Sequence, residues 1–163
     1  MIPVRPMVQA DVAQATELLN HIIRAGGTTA MQEELTPAAF EAKFLRADDV
    51  LCCHVALDPE GAVAGFQLLN WYDALPEGCA DISSFARQVP VLKGVGRALF
   101  PVTCAAARAA GATQINATIR ADNVPGLAYY TKMGFVDHAV AKAVPLRDGR
   151  PVDRISKRFA LTA

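Results

Sequence analysis

The chain has 163 residues, 52% hydrophobic and 20% charged, a composition that folds into one domain and excludes a disordered chain. Sixteen Lys and Arg against sixteen Asp and Glu leave no formal net charge. That excludes the concentrated positive field needed to bind nucleic acid or an anionic membrane surface. No apolar run approaches the roughly 20 residues of a spanning helix. The start, Met1–Ile2–Pro3–Val4–Arg5–Pro6, lacks the layout of a signal peptide, so the cytoplasm is the expected compartment.

Residues Ile2–Pro6 read as a short edge strand, because prolines there cost no ladder donor. Asp11 is a plausible N-cap for a first helix to about Arg24, with Val12, Ala15, Leu19, Ile22 and Ile23 at helical spacing. Thr36–Pro37 is a cap and first-turn pair opening a second helix with Phe40 and Phe44 four apart. Val50–Leu57 and Ala62–Trp71 flank the turn Asp58–Pro59–Glu60–Gly61 and predict an antiparallel hairpin. Ala80 to about Gln88 is a third long strand.

An alanine-rich helix follows from about Gly94 to Ala110, then a strand at Gln114–Ile119. Asn123–Val124–Pro125 opens another helix that ends at Met133–Gly134, with glycine as its C-cap. Phe135 to about Leu146 and Val152–Leu161 form a last hairpin around Asp148–Gly149. No repeat or linker interrupts the chain, so residues 1–163 are expected to be one domain. The order β-α-α-β-β-β-α-β-α-β-β predicts an α/β fold with one mixed, mostly antiparallel sheet and helices on both faces.

Lys93–Gly94–Val95–Gly96–Arg97–Ala98 joins strand to helix. Glycines there let backbone N–H groups approach a ligand closely, and a helix start supplies unpaired donors for a phosphate. Taken alone, the stretch is equally a tight turn. The cysteines Cys52, Cys53, Cys79 and Cys104 lack C-x-x-C spacing and the three histidines are scattered, so no metal site is expected.

Asn123, then Tyr130, Lys132, Gly134 and Phe135 form an Asn-x6-Tyr-x-Lys-x-Gly-Phe pattern that resembles the second signature of the GCN5-related N-acetyltransferases. The Val91–Gly96 stretch is similar to their first signature, although Val91 stands where the family usually carries Gln or Arg. The element order matches from end to end. Within that superfamily the chain most resembles the phosphinothricin-type amino-acid N-acetyltransferases, through Thr28–Thr29, Glu34–Pro37 and Asp81.

The resemblance implies acetyl-CoA as acyl donor, a small amine as acceptor and direct attack in a ternary complex. Lys93, Gly94, Val95, Gly96, Arg97 and Ala98 would hold the diphosphate, by backbone N–H groups and two cations. Ser84, Phe85, Ala86 and Gln88 would pair with the pantetheine amides where the fourth strand splays from the fifth. Asn123 would bond the cofactor or cap its helix. Tyr130 is implied as the acid that protonates the departing thiolate, and Asp81 as the base, acting through water.

Tyr129 is expected to face away from Tyr130, since adjacent helical residues diverge by roughly 100°. Phe66, Trp71 and Tyr72 are candidate pocket walls, and Arg24, Arg46 and Arg87 candidate anchors for a substrate carboxylate. A silent acyl-CoA-binding module and a protein or peptide N-acetyltransferase remain alternatives, and the composition leaves room for a homodimer.

Overall fold

The computed structural model describes residues 1–161. The chain forms β1 (Val4–Pro6), a 3-10 turn (Gln9–Asp11), α1 (Val12–Ala25) and α2 (Pro37–Glu41), which runs into a π-helical turn (Ala42–Arg46). There follow β2 (Val50–Leu57), β3 (Val63–Trp71), β4 (Cys79–Ala86), α3 (Val95–Ala109), β5 (Gln114–Arg120), α4 (Val124–Met133), β6 (Val136–Pro145) and β7 (Pro151–Ala160). The strands make one seven-stranded sheet in the order β1-β2-β3-β4-β5-β7-β6. Among the described residues only β4 and β5 run parallel. A parallel pair needs a crossover, and α3 provides it. The expected element order is the observed one.

Local chemistry explains most boundaries. Thr36 Oγ1 accepts from Ala39 N and Pro37 takes the first turn, as a cap and first-turn pair should. Asp58 Oδ1 accepts from Glu60 N and Ala62 N, which closes the β2–β3 turn. Asp11 is a correction: it makes no side-chain cap to α1. Its carboxylate instead takes two hydrogen bonds from Arg5 and one from Val8 N. Asp11 already has a helical backbone (φ −86°, ψ −15°), and its carboxylate turns back to Arg5 and Val8 and away from the start of α1.

Two cores sandwich the sheet. Between the sheet and α1–α2 lie Leu19, Phe40, Phe44, Val55 and Phe66, with Phe40 and Phe44 stacked at 4.4 Å between ring centroids. Between the sheet and α3–α4 lie Leu69, Ile82, Phe100, Ile115, Tyr130 and Phe135. The start of α3 is pressed onto β3: a Cβ on Gly65 would lie 2.4 Å from Val95 Cγ1. Glycine at 65 therefore sets how closely that helix start approaches the sheet. No helix among the described residues is long and apolar enough to cross a membrane.

Candidate active site

The pairing of β4 with β5 covers three rungs, Cys79 with Gln114, Ala80 with Ile115 and Asp81 with Asn116. Beyond Asp81 the strands part, while β4 stays paired with β3 through Ala86. Arg87 N donates to Ala64 O, which sets the alternation along this antiparallel pair. Phe85, like Arg87, turns its backbone groups toward β3. Ile82, Ser84 and Ala86 turn theirs into the opening. A cavity of about 330 Å³ fills it, bordered by Ser83–Ala86 and Gln88 on one side and by Thr118, Arg120, Asn123 and Tyr130 on the other.

Behind the opening lies a buried polar network. Tyr130, 7% exposed, has its hydroxyl 2.8 Å from Ser84 Oγ. Gln67 Nε2 donates to Ser84 Oγ at 2.9 Å and to the Tyr129 hydroxyl at 3.2 Å. Thr103 donates to Gln67 Oε1, and Tyr129 donates to the Gly96 carbonyl at 2.8 Å. Burial pushes the Tyr129 phenol up to about 12 and raises Tyr130 as well. Both remain O–H donors at neutral pH.

The position of Tyr129 corrects the expectation that it faces away from Tyr130. The two rings meet edge to face at 4.9 Å and both hydroxyls reach this network. Long aromatic side chains bring converging tips from diverging Cα positions. A Cβ on Gly96 would lie 2.4 Å from the Tyr129 ring, so glycine there makes room for the contact. Sequence reading missed Gln67 and Thr103. Their one visible signal is an amide inside the apolar run Val63–Leu69 and a hydroxyl inside an apolar helix face.

Asp81 lies on the other face of β4, toward α1 and α2. It borders a second cavity of about 330 Å³ with Asn70, Tyr72, Ser83, Asp49 and Lys43. Ser83 and Lys43 also border the first cavity, so the two spaces adjoin. Burial raises the Asp81 carboxyl above its ordinary value, while a 3.0 Å hydrogen bond from Asn116 Nδ2 and the nearby Arg158 partly offset this. A carboxyl so perturbed beside a cavity suits a base.

At the start of α3, Gly94 takes a left-handed conformation (φ 89°). Ala98 N–H donates to the Gly94 carbonyl inside the helix, so its donor is already engaged. The first-turn donors left for a ligand are those of Val95, Gly96 and Arg97. Lys93, Gly94, Gly96, Arg97 and Lys132 border a hollow of about 430 Å³. Lys132 is a cation that sequence order did not bring to this place.

Asn123 caps α4, its Oδ1 accepting from Gly126 N, while its Nδ2 donates to Thr28 O at 2.7 Å. Arg120 donates to Thr29 O and forks onto Asp122. The last hairpin grips the same loop, with Arg147 N donating to Gln32 and its guanidinium 3.4 Å from Glu33. The segment between α1 and α2 is therefore tied down over the opening.

The three arginines considered as carboxylate anchors are all paired: Arg24 with Glu17 and Glu34, Arg46 with Glu41, Arg87 with Asp58. Phe66 is fully buried and fills the core, and Tyr72 borders the cavity beside Asp81. Burial holds the thiols up, Cys52 to about 11 and Cys53 to about 12, with Cys79 and Cys104 also raised. These cysteines stay protonated near neutrality and make poor nucleophiles.

The site thus sits in an open mixed sheet whose parallel pair splits beside a glycine-bracketed helix start. The Acetyltransferase (GNAT) family model matches residues 15–135, and the chain belongs to that family. Among solved structures, a GNAT superfamily phosphinothricin acetyltransferase from Sinorhizobium meliloti in complex with AcCoA is 22% identical, with 98% of this chain and 88% of that one covered and a TM-score of 0.85. An N-acetyltransferase from Staphylococcus aureus Mu50 is 18% identical over 99% of both chains, with a TM-score of 0.87. A ribosomal-protein-alanine N-acetyltransferase from Brucella melitensis is 18% identical over 97% of this chain and 99% of that one, with a TM-score of 0.84. No curated protein sequence matches the chain significantly.

Proposed function

We propose that this chain, as a single domain, is an acetyl-CoA-dependent N-acetyltransferase acting on a small amine by direct attack in a ternary complex. One observation carries the reading: β4 leaves β5 after Asp81 and turns the backbone groups of Ser84 and Ala86 into an opening bordered by Tyr130. An extended amide-bearing arm would pair there as an added strand. Phe85 and Gln88 border the same space. The first-turn N–H groups of Val95, Gly96 and Arg97, with Lys93, Arg97 and Lys132, would hold the diphosphate without the side chain missing at Val91. Asn123 would serve the cofactor through the helix start and loop it fixes.

The acceptor would lie in the cavity beside Asp81, which takes a proton from the ammonium through water. The amine nitrogen then attacks the thioester carbon and the carbon–sulfur electron pair leaves with sulfur. A backbone N–H of β4 polarises the carbonyl oxygen. Tyr130 supplies an O–H to the sulfur. The tied-down loop over the opening favours a small acceptor over a peptide, which needs an open groove.

Release of free thiol from acetyl-CoA across a panel of small amines and a panel of short peptides tests this. Turnover with small amines is the expected result. Tight CoA binding with no turnover on either panel would leave a silent binding module.

A further inference from the structure

The Gly96 carbonyl fixes the direction of the hydrogen bonds that Tyr129 and Gln67 make behind the opening. A carbonyl oxygen only accepts, so the hydroxyl hydrogen of Tyr129 is committed to Gly96. The Tyr129 oxygen can then only accept from Gln67, which puts the amide nitrogen of Gln67 there and turns Oε1 to Thr103. The second hydrogen of that nitrogen goes to Ser84 Oγ. Gln67 and Thr103 are fully buried, so no water competes for these bonds.

Ser84 thus receives one permanent hydrogen bond from Gln67 and lies near the Tyr129 hydroxyl, and its 2.8 Å contact is with the Tyr130 hydroxyl. Two hydroxyls in mutual contact use one hydrogen between them and leave the other free. Either Tyr130 donates to Ser84 and the serine hydrogen points outward, or Ser84 donates to Tyr130 and the phenol hydrogen does. Both residues border the opening between β4 and β5. The pair therefore has one O–H it can present to the opening.

We infer that Ser84 and Tyr130 act as one proton-presenting pair, with Gln67 as a positioning residue that donates to Ser84 in an orientation set through Tyr129 and Gly96. The inference rests on the acetyl-transfer reading above. In the transfer the outward O–H gives its hydrogen to the departing sulfur, which keeps the electron pair of the broken carbon–sulfur bond. The charge left on the pair is shared through the internal hydrogen and met by the Gln67 N–H. The nitrogen gives one proton to Asp81 and solvent before attack and sheds a second as the amide forms, and a water in the opening carries that second proton back to the pair. The net products are the amide and the free thiol.

Two measurements test it. In ligand-free protein, side-chain amide NMR is expected to show both Gln67 Nε2 hydrogens protected from exchange, with Overhauser contacts to Ser84 Hβ and the Tyr129 ring. Contacts to the Thr103 methyl instead would mean the amide is reversed and would overturn the inference. In steady-state kinetics, Ser84→Ala and Tyr130→Phe should each lower kcat by about 10²-fold, and the double variant should be no slower than the worse single, as members of one unit behave. Gln67→Glu, which cannot donate to Ser84 when ionised, should lower kcat with the acetyl-CoA KM within about threefold, and Gln67→Leu should do the same. Fully multiplicative single effects, or unchanged kcat in Ser84→Ala, would overturn the pair while leaving acetyl transfer by the wild type intact. A wild type without acyltransfer would instead sink the underlying reading.

Discussion

Asp81 and Asn116 are the last residues paired between β4 and β5, and the Asn116 amide donates to Asp81 Oδ1 across 3.0 Å. The rung that ends the sheet contact thus also anchors the candidate base. Burial raises the Asp81 carboxyl, so kcat/KM should climb with pH through a midpoint above the roughly 3.9 of a free aspartate. Asp81→Asn should lower kcat/KM by about 10²-fold and remove that limb. A pH–rate profile of both proteins checks this.

The same shift has a consequence for stability. A carboxyl whose pKa is raised on folding favours the native state below its unfolded value, and that contribution is lost as pH rises through the folded value. Asp81→Asn keeps the shape and an acceptor for Asn116. Its melting temperature at pH 7 should equal or exceed the wild type's, with the difference gone at pH values below the ordinary aspartate range. Melting curves at several pH values measure it.

Gly96→Ala should damage two things together. The added methyl would lie 2.4 Å from the Tyr129 ring, an overpacking that costs about 1–3 kcal/mol. It would also disturb the first-turn donors at the start of α3. Thermal melting and calorimetry with CoA should show lower stability and weaker binding in one variant.

Replacing Lys93, Arg97 and Lys132 with Ala should raise the acetyl-CoA KM and leave kcat nearly unchanged, because these cations border the hollow at α3 and not the opening. The weakened binding should also lose much of its salt dependence. Titrations at two ionic strengths decide it.

Much of the fold was legible in the sequence because local signals agreed with one another. Thr36–Pro37 opens α2 and Asn123 caps α4, each by chemistry confined to a few residues. The spacing from Asn123 to Tyr130 pointed to the family for the same reason. What stayed hidden depends on contacts distant in the chain. Gln67 meets Tyr129 across 62 positions, and Thr28 meets Asn123 across 95. No periodicity reveals such partners. Asp11 reads as a cap until the strand that brings Arg5 beside it is in place. The parting of β4 from β5 is a property of register, invisible in either strand alone.

Hydrogen exchange at the β4 amides tests the central claim most directly. In the free protein the Ser84 and Ala86 N–H groups should exchange quickly, since they face the opening, while Phe85, engaged with β3, exchanges slowly. Saturating acetyl-CoA should slow Ser84 and Ala86 selectively, and NAD or ATP should not. Protection by acetyl-CoA elsewhere, with these two amides unchanged, would contradict the account.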